Sequence, residues 1–340
     1  MKAFKWFAIL FVIAITVLSA GSGVLLWHYA NTPGSLQDRQ VIFTIAPGEA
    51  FDALISRLQA DGLIKAPHKF KVWARLKGDD KKLKAGEYYL SAAMTPDQIL
   101  GTLVGGKAHL YHLTIPEGFN LKQIASEVAA QGLGDSQAFI DLATDPKTAA
   151  KYEVEAQTLE GYLFPDTYLF PKGVPAATII DMMVRRFKEQ FRPQWHTRAR
   201  EMHMSVHEIV TLASIIEKET GDPAERPLIS SVFHNRLRRK MRLESDPTVI
   251  YGIKDFDGNI KRRHLHARTP YNTYVIKGLP PGPIASPGSS AIEAALYPAD
   301  TSFLFFVSKK DKSHHFSTTI REHNRAVRKY QLRRRRKPKS

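Results

Sequence analysis

The chain opens on an almost unbroken run of apolar positions. Residues 6–27, WFAILFVIAITVLSAGSGVLLW, carry no charged side chain, and a helix of that length crosses the ~30 Å of hydrocarbon in a bilayer. Lys2 and Lys5 precede the run. The positive-inside tendency therefore leaves the N-terminus in the cytoplasm and the rest of the chain outside, in the periplasm of a two-membrane cell. Small residues at 19–23 suit a cleaved signal peptide. The apolar run resumes at Val24, however, so an uncleaved single-pass anchor in the inner membrane is expected over residues 1–30.

Residues 31–40 turn polar around Pro33 and Gly34 and read as a linker. Beyond them the pattern repeats at an offset of 70: FTIAPGEAFDALISRLQADGLI (43–64) matches LTIPEGFNLKQIASEVAAQGLG (113–134). Ile45 aligns with Ile115, Gly48 with Gly118, Leu54 with Ile124, Leu58 with Val128 and Gly62 with Gly132. Each copy reads as a strand, a glycine turn, a helix with apolar residues three and four apart, and a glycine stop. Between the copies, residues 85–107 predict another strand and a short helix opened by Thr95-Pro96. The span 41–108 thus reads as a small β-α-α-β module.

From residue 135 the periodicity becomes helical and longer. A loop rich in aromatics and proline (159–171, with Glu160 and Asp166) interrupts it, and 176–191 predicts an amphipathic helix. The next helix starts at the N-cap Ser205, with Glu208 completing a capping box. It ends near Gly221, which is placed for a left-handed turn. A following helix has Asp222 as N-cap, Pro223 in first position and Glu225 three residues past the cap. Its inward stripe of Leu228, Ile229, Val232 and Phe233 continues through Asn235 and Arg236. RLESDPTVIYG (242–252) predicts a polar loop and then a strand, and residues 269–288 a Gly/Pro-rich loop. A short helix, a buried strand near 302–309 and a strand running into a final helix complete the pattern. The class expected is α+β: a transmembrane helix, the small module, a mixed α/β domain over 109–325 and a basic tail over 326–340.

One position breaks the apolar logic. At about 100° per residue, with Leu212 at zero, Ile209, Ile215 and Ile216 all fall within about 60°. Glu219 falls near −20°, in the middle of that stripe, while Glu217 lies toward its edge at about 140°. Burial and the negative end of the helix both raise a carboxyl's pKa, which suits a general acid. A structural ion pair with Arg236 or Arg239 is the competing reading. Ser245, Asp246 and Thr248 are placed to steady Glu219 or to hydrogen-bond a sugar, or else simply to build a Ser-Asp-Pro turn. Tyr271, Asn272 and Tyr274 combine aromatic faces with amide groups, as carbohydrate sites do.

Composition narrows the classes. The 340 residues contain no cysteine, which excludes a disulfide framework, a thiol nucleophile and cysteine metal sites. No Gly-rich phosphate loop or G-x-S-x-G elbow is present. His264 and His266, like the pair His314 and His315, lack a third partner at ligand spacing, so neither a metal nor a cofactor is expected. The net charge of +16 favours anionic partners. Nine Lys or Arg fall in residues 325–340, a run that usually forms a solvated tail. Export of the chain argues against nucleic acid as the partner.

LASIIEKET, SVFHNRL, MRLESDPTVIYG, TPYNTYVIKGLPPGPIASPG and FLFFV…HFS…HN, in this order over nearly the whole chain, resemble the YceG-like endolytic murein transglycosylase (MltG) family. The resemblance implies a LysM-like region over 41–108 and a catalytic domain over 109–325, with Glu219, the second glutamate of E-K-E-T, as the catalytic residue. It also implies internal cleavage of the MurNAc-β-1,4-GlcNAc bonds of peptidoglycan with 1,6-anhydro ends, beside penicillin-binding synthases. Substrate contacts are expected from Glu160, Asn235, Arg236, Ser245, Asp246, Thr248, Tyr271, Asn272, Tyr274 and His315. Asp246 or Glu160 as a second carboxylate would instead make the enzyme a muramidase hydrolysing the same bond. A glycan-binding scaffold without catalysis is the alternative from another class.

Overall fold

The computed structural model describes residues 2–35, 40–106, 110–254 and 256–332. Packing divides the chain into two units, Met1–Tyr111 with Leu169–Gly173, and His112–Tyr168 with Val174–Ser340.

The first unit begins with helix α1 (Lys2–Ala30). Its stretch Ile13–Ala30 is long and apolar enough to cross a membrane, and its large side chains stand exposed, Leu18 at 70% and Leu25 at 68%. Strand β1 (Gln40–Ile45), helices α2 (Phe51–Ala60) and α3 (Pro67–Leu76), strand β2 (Gly86–Ser91) and helix α4 (Pro96–Gly105) follow. β1 and β2 pair antiparallel with Phe43 opposite Tyr88 and Val41 opposite Leu90. Alternation along β1 puts Phe43 and Ile45 inside and leaves Ile42 and Thr44 outside. One face of the ribbon meets Leu54, Leu58, Phe70, Ile99 and Leu103 in a single core. The predicted opening of α4 is present: Thr95 accepts from the Gln98 amide, and Gln98 closes the capping box.

The second unit contains β3 (Tyr111–Thr114) from His112 on, α5 (Leu121–Ala130), α6 (Ser136–Thr144), α7 (Pro146–Lys151), β4 (Thr167–Phe170) as far as Tyr168, α8 (Ala176–Gln190) and α9 (Pro193–Glu201). Then come α10 (Val206–Glu219), α11 (Arg226–Arg238), α12 (Asp246–Tyr251), α13 (Arg262–Leu265), α14 (Ser289–Leu296), β5 (Phe305–Ser308), β6 (His314–Ser317) and α15 (Ile320–Val327), which continues into a π-helical turn, Arg328–Leu332. β3 pairs with β4 and β5 with β6, each as a two-stranded sheet. α10 is the central element. Ile209, Val210, Leu212, Ala213, Ile215 and Ile216 are all fully buried, and each large side chain among them contributes roughly 1.5–3 kcal/mol. Alanines 291, 294 and 295 of α14 let that helix approach α10 closely.

The repeat is real at the level of the backbone. Gly48 and Gly118 both sit at φ +77°, and Gly62 and Gly132 end their helices at +72° and +66°. These left-handed turns favour glycine, so the two copies share a strand, turn and helix as the sequence predicted.

Three local expectations require correction. The stretch ending in VIYG is not a strand: Pro247 and the Ser245 turn start helix α12, and the β-branched residues lie on its one turn and a half. The helix expected from Pro223 begins at Arg226 instead, because Asp222 uses its carboxylate on the Ala224 amide in a tight turn. Gly221 is not left-handed. α10 is stopped by Thr220, which is extended at φ −142°.

Candidate active site

The start of α10 is fixed by the predicted capping box. Ser205 accepts from the Glu208 amide at 3.1 Å, and the Glu208 carboxylate accepts from the Ser205 amide at 2.8 Å. The register set there delivers Glu219 at the last helical position. Part of Glu219 still reaches solvent. Burial nevertheless pushes its carboxyl up to about 7; the Ser245 hydroxyl and Arg236 oppose the rise, and Asp246 adds to it. Ser245 Oγ donates to Glu219 Oε1 at 2.5 Å. No ion pair involves Glu219 among the described residues, so the competing reading of a buried pair with arginine does not describe this side chain.

Ser245 is itself held. Its amide donates to Thr273 Oγ1 at 2.9 Å, its carbonyl accepts from Thr248 Oγ1 at 2.7 Å, and the two threonine hydroxyls lie 2.8 Å apart. Thr273 also accepts the Glu244 amide through its carbonyl at 3.2 Å. Thr248 and Thr273 are fully buried, so the hydroxyls bonded here have no water competing for them. Glu244 adopts φ +53° directly before Ser245, a conformation that costs a residue other than glycine about 1–2 kcal/mol. Asp246 follows, accepting from the Tyr274 hydroxyl at 2.8 Å. Glu219, Ser245, Asp246, Thr248 and Tyr274 thus share one cluster.

The other expected residues divide by what their polar atoms already touch. The Arg236 guanidinium donates to the carbonyls of Leu304, Arg242 and Leu243 and to Glu244. Asn235 donates to the carbonyls of Thr301 and Phe303, and Asn272 to those of His264, Leu265 and Ala267. All three are nearly buried and act as clamps on the chain around the site. Glu160, 4% exposed, is apart from Glu219. It accepts from the Leu121 amide and from the Tyr251 hydroxyl at 2.9 Å beside a cavity of about 430 Å³. Burial pushes its carboxyl, too, up to about 7. The Tyr271 ring lies 4.7 Å from that of Tyr251. His315 lies on β6, its ring 5.9 Å from Tyr330. Its neighbour His314 instead gives its amide (2.8 Å) and Nδ1 (2.6 Å) to Glu225, just ahead of α11.

Two residues with a part in this arrangement were missed. Thr273, flanked by the named Asn272 and Tyr274, is the clip between both loops; a threonine inside a polar loop gives no sequence signal of its own. Glu217, placed at the edge of the wheel, is buried: its carboxylate takes Arg226 Nη2 at 2.7 Å and the Gly288 amide at 3.0 Å. Burial raises its pKa, and Gly288 and Arg226 oppose the rise. The covering segment comes from a part of the chain about 70 residues away, which no helical wheel can see.

The YceG-like family model matches residues 43–329. The chain belongs to the YceG-like family. It is 33% identical over 307 residues to the endolytic murein transglycosylase of Bacillus subtilis, covering 85% of this chain and 84% of that protein. It is 30% identical to the endolytic murein transglycosylase of Streptococcus pneumoniae D39, covering 95% of this chain and 65% of the relative, which is therefore longer. Among solved structures, a YceG-like protein of Listeria monocytogenes superposes with a TM-score of 0.59 at 34% identity, covering 85% of this YceG-like chain and all of the other.

Proposed function

We propose that this YceG-like protein is an endolytic murein transglycosylase that breaks MurNAc-β-1,4-GlcNAc bonds within peptidoglycan and leaves 1,6-anhydro-MurNAc ends. One observation supports the chemistry above the rest: a single carboxyl, Glu219, at a helix end, raised to about 7 by burial and oriented by one hydroxyl. Protonated Glu219 gives its proton to the glycosidic oxygen as the C1–O bond breaks through an oxocarbenium-like state. The carboxylate then takes the proton from the MurNAc 6-hydroxyl, whose oxygen closes on C1. One residue acts as acid and then as base, so the second carboxylate of ordinary glycosidases has no step to perform. Ser245 orients the acid, and Asp246 and Tyr274 form the polar wall on which a sugar would rest.

The apolar helix α1 anchors the protein in the inner membrane with both units in the periplasm, where nascent glycan and penicillin-binding synthases are its partners. The first unit, which holds the first copy of the repeat, is read as LysM-like, laying a surface along the glycan. Muropeptide mass analysis tests the reaction. Wild type should yield ends one water lighter than hydrolysed ends, and Glu219→Gln should yield neither. Ends that are all reducing would make the enzyme a muramidase. Equal digestion by both forms would remove Glu219 from the mechanism, and no digestion by either would favour a glycan-binding scaffold.

A further inference from the structure

Far along the chain from Glu219, the hairpin joining β5 to β6 and the final helix meet in a corner of the second unit. Gln331 Nε2 donates to the Ser308 carbonyl at 2.8 Å, and Lys310 Nζ reaches the Gln331 carbonyl at 3.4 Å. This joins two basic segments: Lys309, Lys310 and Lys312 at the hairpin tip, and Arg321, Arg325, Arg328 and Lys329 along the helix. None of the seven is ion-paired to a carboxylate among the described residues. The two acids in the same stretch are turned to the backbone. Asp311 accepts from the Ser313 amide at 3.0 Å and from its hydroxyl at 2.7 Å, and Glu322 caps α15 through the amides of Thr318 and Thr319.

Two further features point outward. Lys310 and Lys312 are held at φ +69° and +72° in the tight turn of the hairpin. A cavity of about 240 Å³ is lined by His315, Glu322, Arg325, Ala326, Lys329 and Tyr330, and the Glu322 carboxylate in that lining accepts from the Thr318 and Thr319 amides. Lys329 Nζ lies 4.9 Å from the centre of the Tyr330 ring, and Leu332 is 68% exposed beside it. Cations around a small concavity, with an aromatic ring and an exposed leucine alongside, form the pattern of an element lying at a membrane interface.

We propose that this corner binds the phosphate headgroups of an acidic lipid bilayer, Arg325 and Lys329 taking one phosphate in the cavity and the hairpin lysines its neighbours. It rests on the anchored topology proposed above and is independent of the chemistry at Glu219.

The absence of cysteine makes the test direct. Full-length protein with Asn324→Cys carries one dye on the exposed face of α15 and is reconstituted in nanodiscs holding a headgroup-borne spin quencher. Discs containing phosphatidylglycerol should quench the dye strongly and discs of phosphatidylcholine weakly. The difference should collapse at high salt, and in Lys310→Gln/Arg325→Gln/Lys329→Gln it should fall about fivefold per cation removed. Arg325→Lys/Lys329→Arg should restore it. Muropeptide release by the triple variant in detergent should equal that of wild type, which shows that it is folded. Equal quenching in the two kinds of disc, or quenching unchanged in the triple variant, would overturn the proposal. So would displacement by inorganic phosphate beyond that by chloride of equal ionic strength, which would assign a free anion instead of the bilayer. Failure of the discs to retain the protein would overturn the anchored topology together with this surface.

Discussion

The Ser245 hydroxyl lies 2.5 Å from the carboxyl oxygen of Glu219 and is its hydrogen-bond partner. The bond favours the charged form, so it restrains the rise that burial imposes. Ser245→Ala should therefore move the Glu219 pKa further up. The activity requires the protonated acid and should fall as pH rises through about 7 in wild type; in Ser245→Ala that alkaline limb should shift to higher pH, with a lower maximum because the acid is less well oriented. A pH profile of muropeptide release checks this, and a limb that moves to lower pH would refute the assignment.

Replacement of the acid is a sharper case. Glu219→Gln keeps the shape and the Ser245 contact but has no proton to give, and release should drop by roughly 10²–10⁴ while the protein unfolds at an unchanged denaturant concentration at low pH.

Glu160 makes its pKa visible in stability. Its folded pKa, about 7, lies above its ordinary value of 4.5. The folded state therefore holds a proton that the unfolded chain has lost, and stability should decline as pH rises from about 4.5 to about 7. The decline is on the order of 3 kcal/mol. Glu160→Gln, which can still accept from Tyr251, should flatten this dependence. The difference in urea midpoint between the two proteins at pH 5 and pH 8 is the measurement.

The clip at Thr273 predicts a defect in geometry. Thr273→Val strands the buried Ser245 amide and should cost about 1–3 kcal/mol. It should also lower kcat more than it raises KM, since Ser245 orients the acid and does not hold the substrate.

Two glycines should behave in opposite ways. Gly161 sits at φ +84°, and a Cβ there would lie 2.5 Å from Pro283, so Gly161→Ala should destabilise the protein by roughly 2 kcal/mol or more. Gly221 has open space and no left-handed backbone, so Gly221→Ala should stay within about 0.5 kcal/mol of wild type.

That contrast shows what the residues alone revealed. The Ser205–Glu208 capping box, the inward angle of Glu219 and the offset repeat were legible because each is governed by neighbours a few positions away. Gly221, the start of α11 and helix α12 were misjudged where two local signals competed: glycine against an extended threonine, an Asx turn against an N-cap, β-branched residues against a proline at a helix start. Glu217 and Thr273 were beyond reach. Their surroundings are set by residues outside their own element, Arg226 at the start of the next helix and the distant Gly288 for one and the loop at 244–248 for the other.

The five residues Leu169–Gly173 pack with the first unit although the chain on either side of them belongs to the second. A cut after Tyr111 therefore does not part the two units: it would leave Leu169–Gly173 on the other fragment. Recombining these units with those of a relative requires three junctions instead of one.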